Sequence, residues 1–196
     1  MERVDEANPW KVLNEETGYD CRYFSVRHDR VTLSDGEPRS YHSVRMKYHG
    51  VCVVPVDREG CVTLIGQYRY VLDRFSWEIP GGGAQVGDDT LMIARAELLE
   101  ETGCTATHWL RIVEGTVSPG ISTESVPAFV AWGLDRGDPR PDDTELLLRR
   151  RVPFTDAVGM ALSGEISNLP GIAALLAIEV RRGRGDLPES LLALLK

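Results

Sequence analysis

The residues best equipped for chemistry are three glutamates in one short stretch, Glu97, Glu100 and Glu101 of "AELLEETGC", 96–104. An α-helix turns about 100° per residue, so Glu101 lies about 40° to one side of Glu97 and Glu100 about 60° to the other. The three carboxylates then share one narrow face, where like charges a turn apart repel unless something compensates them. Just upstream stands "EIPGGG", 78–83, which reads as a turn that bares backbone carbonyls and lets another group come close. Clustered carboxylates beside such carbonyls suit a hard divalent cation, which takes oxygen ligands and keeps positions open for phosphate. Geometry alone leaves a solvated acidic face as the alternative.

The element that must aim these side chains is a helix over 89–102. Leu91, Ala94 and Leu98 form an apolar stripe on its flank that can dock on a sheet. Asp88 and Asp89 stand where it starts and suit an N-cap and the positive end of the dipole; Gly103 is a left-handed stop. Upstream, "YFSVRHDRVTL" and "YHSVRMKY" flank an Asp-Gly turn, and "GVCVVPV" and "CVTLIGQYRY" flank "DREG", so two hairpins are expected. The run "VCVVPV" is nearly all apolar, as in a strand covered on both faces. Downstream, "LRIVEGTV" and "ESVPAFVAWGL" read as strands, "RGDPRPDD" as a polar loop, and "FTDAVGMALSG" and "GIAALLAIEVRRG" as helices. The expected fold class is α/β, a mixed core preceded by a small antiparallel β lobe, with domains at 1–48 and 49–196.

Composition narrows the function classes. A net charge of −8 disfavours a general nucleic-acid binder, which needs a basic surface, but leaves room for a small anion held by local arginines. No apolar run is long enough to span a bilayer, and the first residues are polar and acidic, so no membrane or secretory segment is expected. Cys21, Cys52, Cys61 and Cys104 are scattered without a CxxC pair and read as reduced, which points to the cytoplasm. No phosphate loop, dinucleotide fingerprint, HExxH or Gly-x-Ser-x-Gly is present.

Gly82, five residues, Asp88, seven residues and "AELLEETGC" together resemble the Nudix box, written G-x5-E-x7-R-E-U-x-E-E-x-G-U with U aliphatic. "NPWK", "GQYRY", "FSWEIPGG", "TVSPGISTES" and "VPF…ALSGEI" are similar to the ADP-ribose and nucleoside-diphosphate-sugar pyrophosphatases of that superfamily, over roughly 8–180. The resemblance implies a Nudix fold, a mixed sheet sandwiched between helices, and hydrolysis of the pyrophosphate bond of ADP-ribose or a nucleoside diphosphate sugar. It implies Mg2+, with Mn2+ as the substitute, held by Glu97, Glu100, Glu101 and the carbonyl of Gly81. It also implies a homodimer whose β lobe closes over the base.

Reaction needs further groups. Glu124 in "SPGISTES" is the candidate base, since similar enzymes carry a catalytic glutamate in such a loop; otherwise it is a solvated loop charge. Glu100 is assigned a catalytic as well as a metal role. Arg69 of "QYRY" is the candidate phosphate grip, because a guanidinium binds phosphate oxygens in a fork. Glu78 either positions a metal or substrate hydroxyl or makes a structural bond under the turn. Trp10, with Tyr23 and Phe24, either stacks on the base or is core. His28, His42, His49 and His108 have no ligand spacing.

The box is departed from at two positions. Asp88 stands for Glu, on a shorter arm, and Ala96 for Arg, which removes a cation one turn before Glu100. The neighbouring Arg95 is rotated about 100° away and cannot serve the same face. Glu100 then needs another partner, the metal or a basic side chain from elsewhere. The missing arginine also keeps open a second reading, a non-catalytic nucleotide-sugar-binding regulatory domain.

Overall fold

The computed structural model describes residues 7–137 and 147–196, so most of the expected polar loop at 136–143 lies outside the described residues. Contacts divide the chain into two compact units: Met1–Tyr48 with Ser118–Glu124, and His49–Val117 with Ser125–Lys196.

The first unit is a four-stranded antiparallel sheet of β1 (Lys11–Asn14), β2 (Thr17–Asp20), β3 (Phe24–Thr32) and β4 (Arg39–Met46). The strand β3 is central: β4 runs along one edge from Phe24↔Met46 to Val31↔Arg39, and β1 and β2 share the other. The expected Asp-Gly turn joins β3 to β4, with Gly36 at φ 75° and Asp35 accepting from the Glu37 N–H. The segment Ser118–Glu124 fastens onto β4 through Val44 N–H to the Ile121 carbonyl (2.7 Å) and Thr123 N–H to the Val44 carbonyl (3.1 Å). The strands β1 and β2 are short, wholly exposed, and carry no apolar alternation, so the sequence does not announce them.

The second unit holds a seven-stranded mixed sheet. Its strands are β5 (Tyr48–Val56), β6 (Cys61–Arg69), β7 (Arg74–Glu78), β8 (Gly81–Gln85), β9 (Cys104–Thr116), β10 (Ser125–Arg136) and β11 (Leu148–Pro153). The main order is β11-β6-β5-β10-β9, with β7 on β6 and β8 on β5. The pair β5–β10 is parallel and β9–β10 antiparallel. Helix α1 (Thr90–Thr102) covers one face; α2 (Phe154–Ser163), α3 (Leu169–Arg184) and the short α4 (Glu189–Leu192) cover the other.

Strand β5 shows why its sequence is apolar throughout. Val51 and Val53 pack toward Ala94 and Leu98 of α1, while Val54 and Val56 pack toward Leu175, Ile178 and Leu191 behind. Each of these valines is at most 2% exposed, and burial stabilises the sheet by about 2 kcal/mol per side chain.

The glycines of "EIPGGG" run as strand β8 rather than as a turn. Gly81, Gly82 and Gly83 keep ordinary backbone angles, and the turn comes later at Gly87, φ 101°. Their lack of side chains serves close approach: a Cβ on Gly81 would stand 2.3 Å from the Val51 carbonyl oxygen of β5. Strand β11 is a further element the sequence hides, because "LRRR" carries charges where strands are usually apolar. Among the described residues no helix is long and apolar enough to cross a membrane.

Candidate functional site

Helix α1 begins and ends as its caps dictate. The Asp89 carboxylate accepts from Leu91 N–H (2.9 Å) and Met92 N–H (3.4 Å), and Gly103, φ 72°, returns its N–H to the Leu99 carbonyl. Ala94 and Leu98 are fully buried on the sheet, which fixes the rotation of the helix and therefore the direction of its glutamates. Asp88, where the box has a longer acid, is used locally. Its carboxylate accepts from Gln85 N–H (2.9 Å) and its own N–H returns to the Gln85 carbonyl, closing the turn into the helix.

The three glutamates meet three different environments. Glu101 is buried, 3% exposed, and accepts from the Gly81 N–H at 2.9 Å. Glu97 is half-buried and its carboxylate lies directly against Gly82: a Cβ there would stand 2.0 Å from Oε1 and 2.3 Å from Cδ. Glu100 is exposed. The site therefore has oxygen chemistry, two carboxylates pressed onto the glycine strand, in a cradle that any side chain at 82 would fill. Among the described residues no three His, Cys, Asp or Glu side chains converge into a ready cation cage. The donor set that fits a hard cation is thus the pair Glu97 and Glu101 with the strand backbone, and Glu100 at its rim.

Arg69 and Glu78 engage each other. Arg69 Nε and Nη2 donate to the two carboxylate oxygens of Glu78 at 2.9 and 2.8 Å, a forked pair in which Glu78 is 9% and Arg69 43% exposed. Glu78 sits opposite Ile65, and Ile65 opposite Arg149, so β7, β6 and β11 carry a row of side chains on one sheet face. Two strand spacings put Glu78 and Arg149 about 10 Å apart.

Arg149 brings a cation to the end of α1, but to the Glu101 backbone and not to the Glu100 carboxylate. Its Nε donates to the backbone carbonyl of Glu101, in the last turn of α1. A guanidinium there opposes the negative end of the helix dipole. Ala96 itself is exposed, and Arg95 lies over the Trp109 ring at 5.7 Å, on the flank away from the glutamates, as its rotation requires. Sequence reasoning missed Arg149 because β11 was missed; the alternation of Arg149 and Arg151 with Leu148, Arg150 and Val152 was the available signal.

The remaining candidates belong to the first unit. Glu124 is half-buried, and its N–H donates to Ser122 Oγ at 3.0 Å. Its loop is tied down by backbone bonds from Ser122 N–H to the Ser118 carbonyl (2.8 Å) and by Thr123 Oγ1 accepting from Met46 N–H. Trp10 is exposed and packs edge-on against Tyr41, centroids 5.7 Å apart. Tyr23 is exposed beside Tyr48, and Phe24, half-buried, lies near Tyr19.

The NUDIX domain family profile matches residues 46–175. The chain is similar to an ADP-ribose pyrophosphatase of Mycobacterium tuberculosis, 31% identical over 172 residues, covering 86% of this chain and 83% of that one. An ADP-ribose pyrophosphatase of Bacillus subtilis is 28% identical, with 87% and 93% covered. A methanol dehydrogenase activator of Bacillus methanolicus is 31% identical over 128 residues, 64% and 68% covered. A crystal structure of an ADP compounds hydrolase superposes with a TM-score of 0.81 at 22% identity, covering 94% of this chain and all of that one, and so shares its fold. With the box glutamates fixed on a capped helix against a glycine strand, the chain belongs to the Nudix family and is a Nudix hydrolase.

Proposed function

We propose that this hydrolase cleaves the pyrophosphate of ADP-ribose or a related nucleoside diphosphate sugar, in a Mg2+-dependent reaction that consumes one water and yields a nucleoside monophosphate and a sugar phosphate. The observation that carries this reading is the seating of Glu97 and Glu101 against Gly82 and Gly81. Similarity over most of the chain to two ADP-ribose pyrophosphatases supports the substrate class. Glu97, Glu101 and the Gly81 carbonyl would hold the cation, with Glu100 at the rim of a second position. The bound cation supplies charge neutralisation of the pyrophosphate oxygens.

The chain's own residues do the rest. Gly81 N–H fixes the Glu101 carboxylate, and Gly82 leaves the space that Glu97 occupies. Glu78 orients the Arg69 fork, whose exposed side takes phosphate oxygens. Glu124 takes the proton of the attacking water. The N-terminal lobe at 1–48 receives the base, with Trp10 as its stacking surface, and joins two copies into a homodimer.

The deciding experiment incubates the protein with Mg2+ and a panel of ADP-ribose, UDP-sugars and GDP-sugars, following monophosphate release by chromatography. AMP release from ADP-ribose is expected, stopped by EDTA and by Glu101→Gln. Absence of monophosphate from every substrate, with Mg2+ and with Mn2+, would overturn the reading. Glu124→Gln with wild-type turnover would remove Glu124 from the mechanism while leaving the rest intact.

A further inference from the structure

A cavity of about 310 Å3 opens beside the last turn of α1, with Thr63, Thr102, Arg136, Arg149 and Arg151 in its wall. Among the described residues its lining carries three arginines and no acid, in a chain whose net charge is −8. The register of β11 produces the cluster. Arg149 and Arg151 alternate onto one face of the strand, and Thr63 of β6 lies directly opposite Arg151.

Each guanidinium is pinned by the protein along only part of its fork. Arg149 donates Nε to the Glu101 carbonyl. Arg136 Nη2 and Arg151 Nε converge on the same oxygen of Asp57, the former at 3.2 Å, and Arg151 Nη2 reaches Glu59 at 3.1 Å. Asp57 is a rigid post for the two: it is 5% exposed and accepts from the N–H groups of Glu59 and Cys61 at 3.0 and 2.9 Å. The other N–H groups of the three arginines meet no protein acceptor among the described residues. Ion pairing for structure alone would match each arginine with an acid, whereas among the described residues Arg149 meets a backbone carbonyl and no carboxylate. The helix end adds about half a negative charge, which Arg149 by itself outweighs. Preorganised forks around a small cavity suit a tetrahedral dianion, whose oxygens each take charge-assisted bonds.

We propose that this cavity is a binding site for a phosphate-class dianion, inorganic phosphate or a phosphomonoester, distinct from the carboxylates of α1. The full-length protein is titrated calorimetrically in EDTA at constant ionic strength, with chloride as the supporting salt, using inorganic phosphate and glycerol 3-phosphate as probes. Saturable binding is expected, weakened at least tenfold by Arg149→Gln and by Arg136→Gln and unchanged by Glu97→Gln. Binding of both probes identifies a phosphomonoester site, and binding of inorganic phosphate alone identifies the free anion as ligand. Should Arg149→Gln fail to fold by circular dichroism, Arg149→Lys, with its lost fork, and Arg136→Gln carry the test. The proposal is overturned by no saturable heat with either probe, by affinity indifferent to both arginine changes, or by affinity lost with Glu97→Gln. None of these readings requires turnover, so they stand apart from the outcome of the hydrolysis assay.

Discussion

Gly82→Ala separates positioning from stability. The backbone at 82 is not in the left-handed region, so alanine meets no conformational strain there. What its Cβ meets is the carboxylate of Glu97, 2.0 Å from Oε1 and 2.7 Å from Oε2. Real Cβ contacts under 3.0 Å essentially never occur, so the carboxylate must retreat by at least about 1 Å. The obstacle is the far end of a flexible side chain, and rotating it out costs about 1 kcal/mol of off-rotamer energy. A 1 Å misplacement of a catalytic group, by contrast, costs about 10²-fold in rate. Gly82→Ala is therefore expected to unfold in urea within about 1 kcal/mol of wild type yet lose about 10²-fold in kcat for ADP-ribose. Gly81→Ala makes the opposite control: its Cβ would meet the Val51 carbonyl oxygen at 2.3 Å and the Cys52 backbone at 3.0 Å, so stability itself should fall. Gly82→Ala with wild-type turnover would refute the placement of Glu97 in the reaction. Loss of activity that merely tracks unfolding would refute the separation.

Three further expectations follow from the packing. Arg69→Met strands the buried Glu78 carboxylate and should destabilise the fold by about 3 kcal/mol in urea titration; a change under about 0.5 kcal/mol would show the fork contributes nothing. Burial raises the pKa of Asp57, but bonds from Arg151, Cys61 N–H and Glu59 N–H outweigh it and hold the carboxyl below its ordinary 3.8. The stability it contributes is thus complete above 3.8 and is lost as pH falls from there through the depressed value, so the urea midpoint should drop between pH 5 and pH 3 by less in Asp57→Asn than in wild type. Ala96→Arg restores an i,i+4 partner for the exposed Glu100, worth about 0.4 kcal/mol of helix stability, with kcat/KM changed by less than about threefold because Arg149 already anchors that turn; a tenfold rise would show that the missing cation limits the enzyme.

The helix was legible because its instructions are local. Asp89, the Leu91–Ala94–Leu98 stripe and Gly103 each specify one feature, and the structure realises all three. Strand β5 was equally legible, since burial on both faces requires apolar residues at every position. The glycine strand was not. Glycine runs usually signal turns, and only the β5 backbone and the Glu97 carboxylate, both distant in sequence, show why side chains are excluded there. The pairing of Arg69 with Glu78 depends on the β6–β7 register, and the reach of Arg149 to α1 on an edge strand whose charges hide it. Function of the family could be read from spacing, while the partners of each charge required the third dimension.

The passage of Ser118–Glu124 into the N-terminal unit has a consequence for biosynthesis. Residues up to Tyr48 leave the ribosome before Ser118–Glu124, so β4 lacks its backbone partners at Ile121 and Thr123 until more than seventy further residues have been made. At about 5–20 residues per second, the nascent lobe waits several seconds with that edge unpaired. A fragment cut at Tyr48 would wait indefinitely, so the lobe is better excised, grafted or swapped together with the Ser118–Glu124 loop than as a simple N-terminal piece.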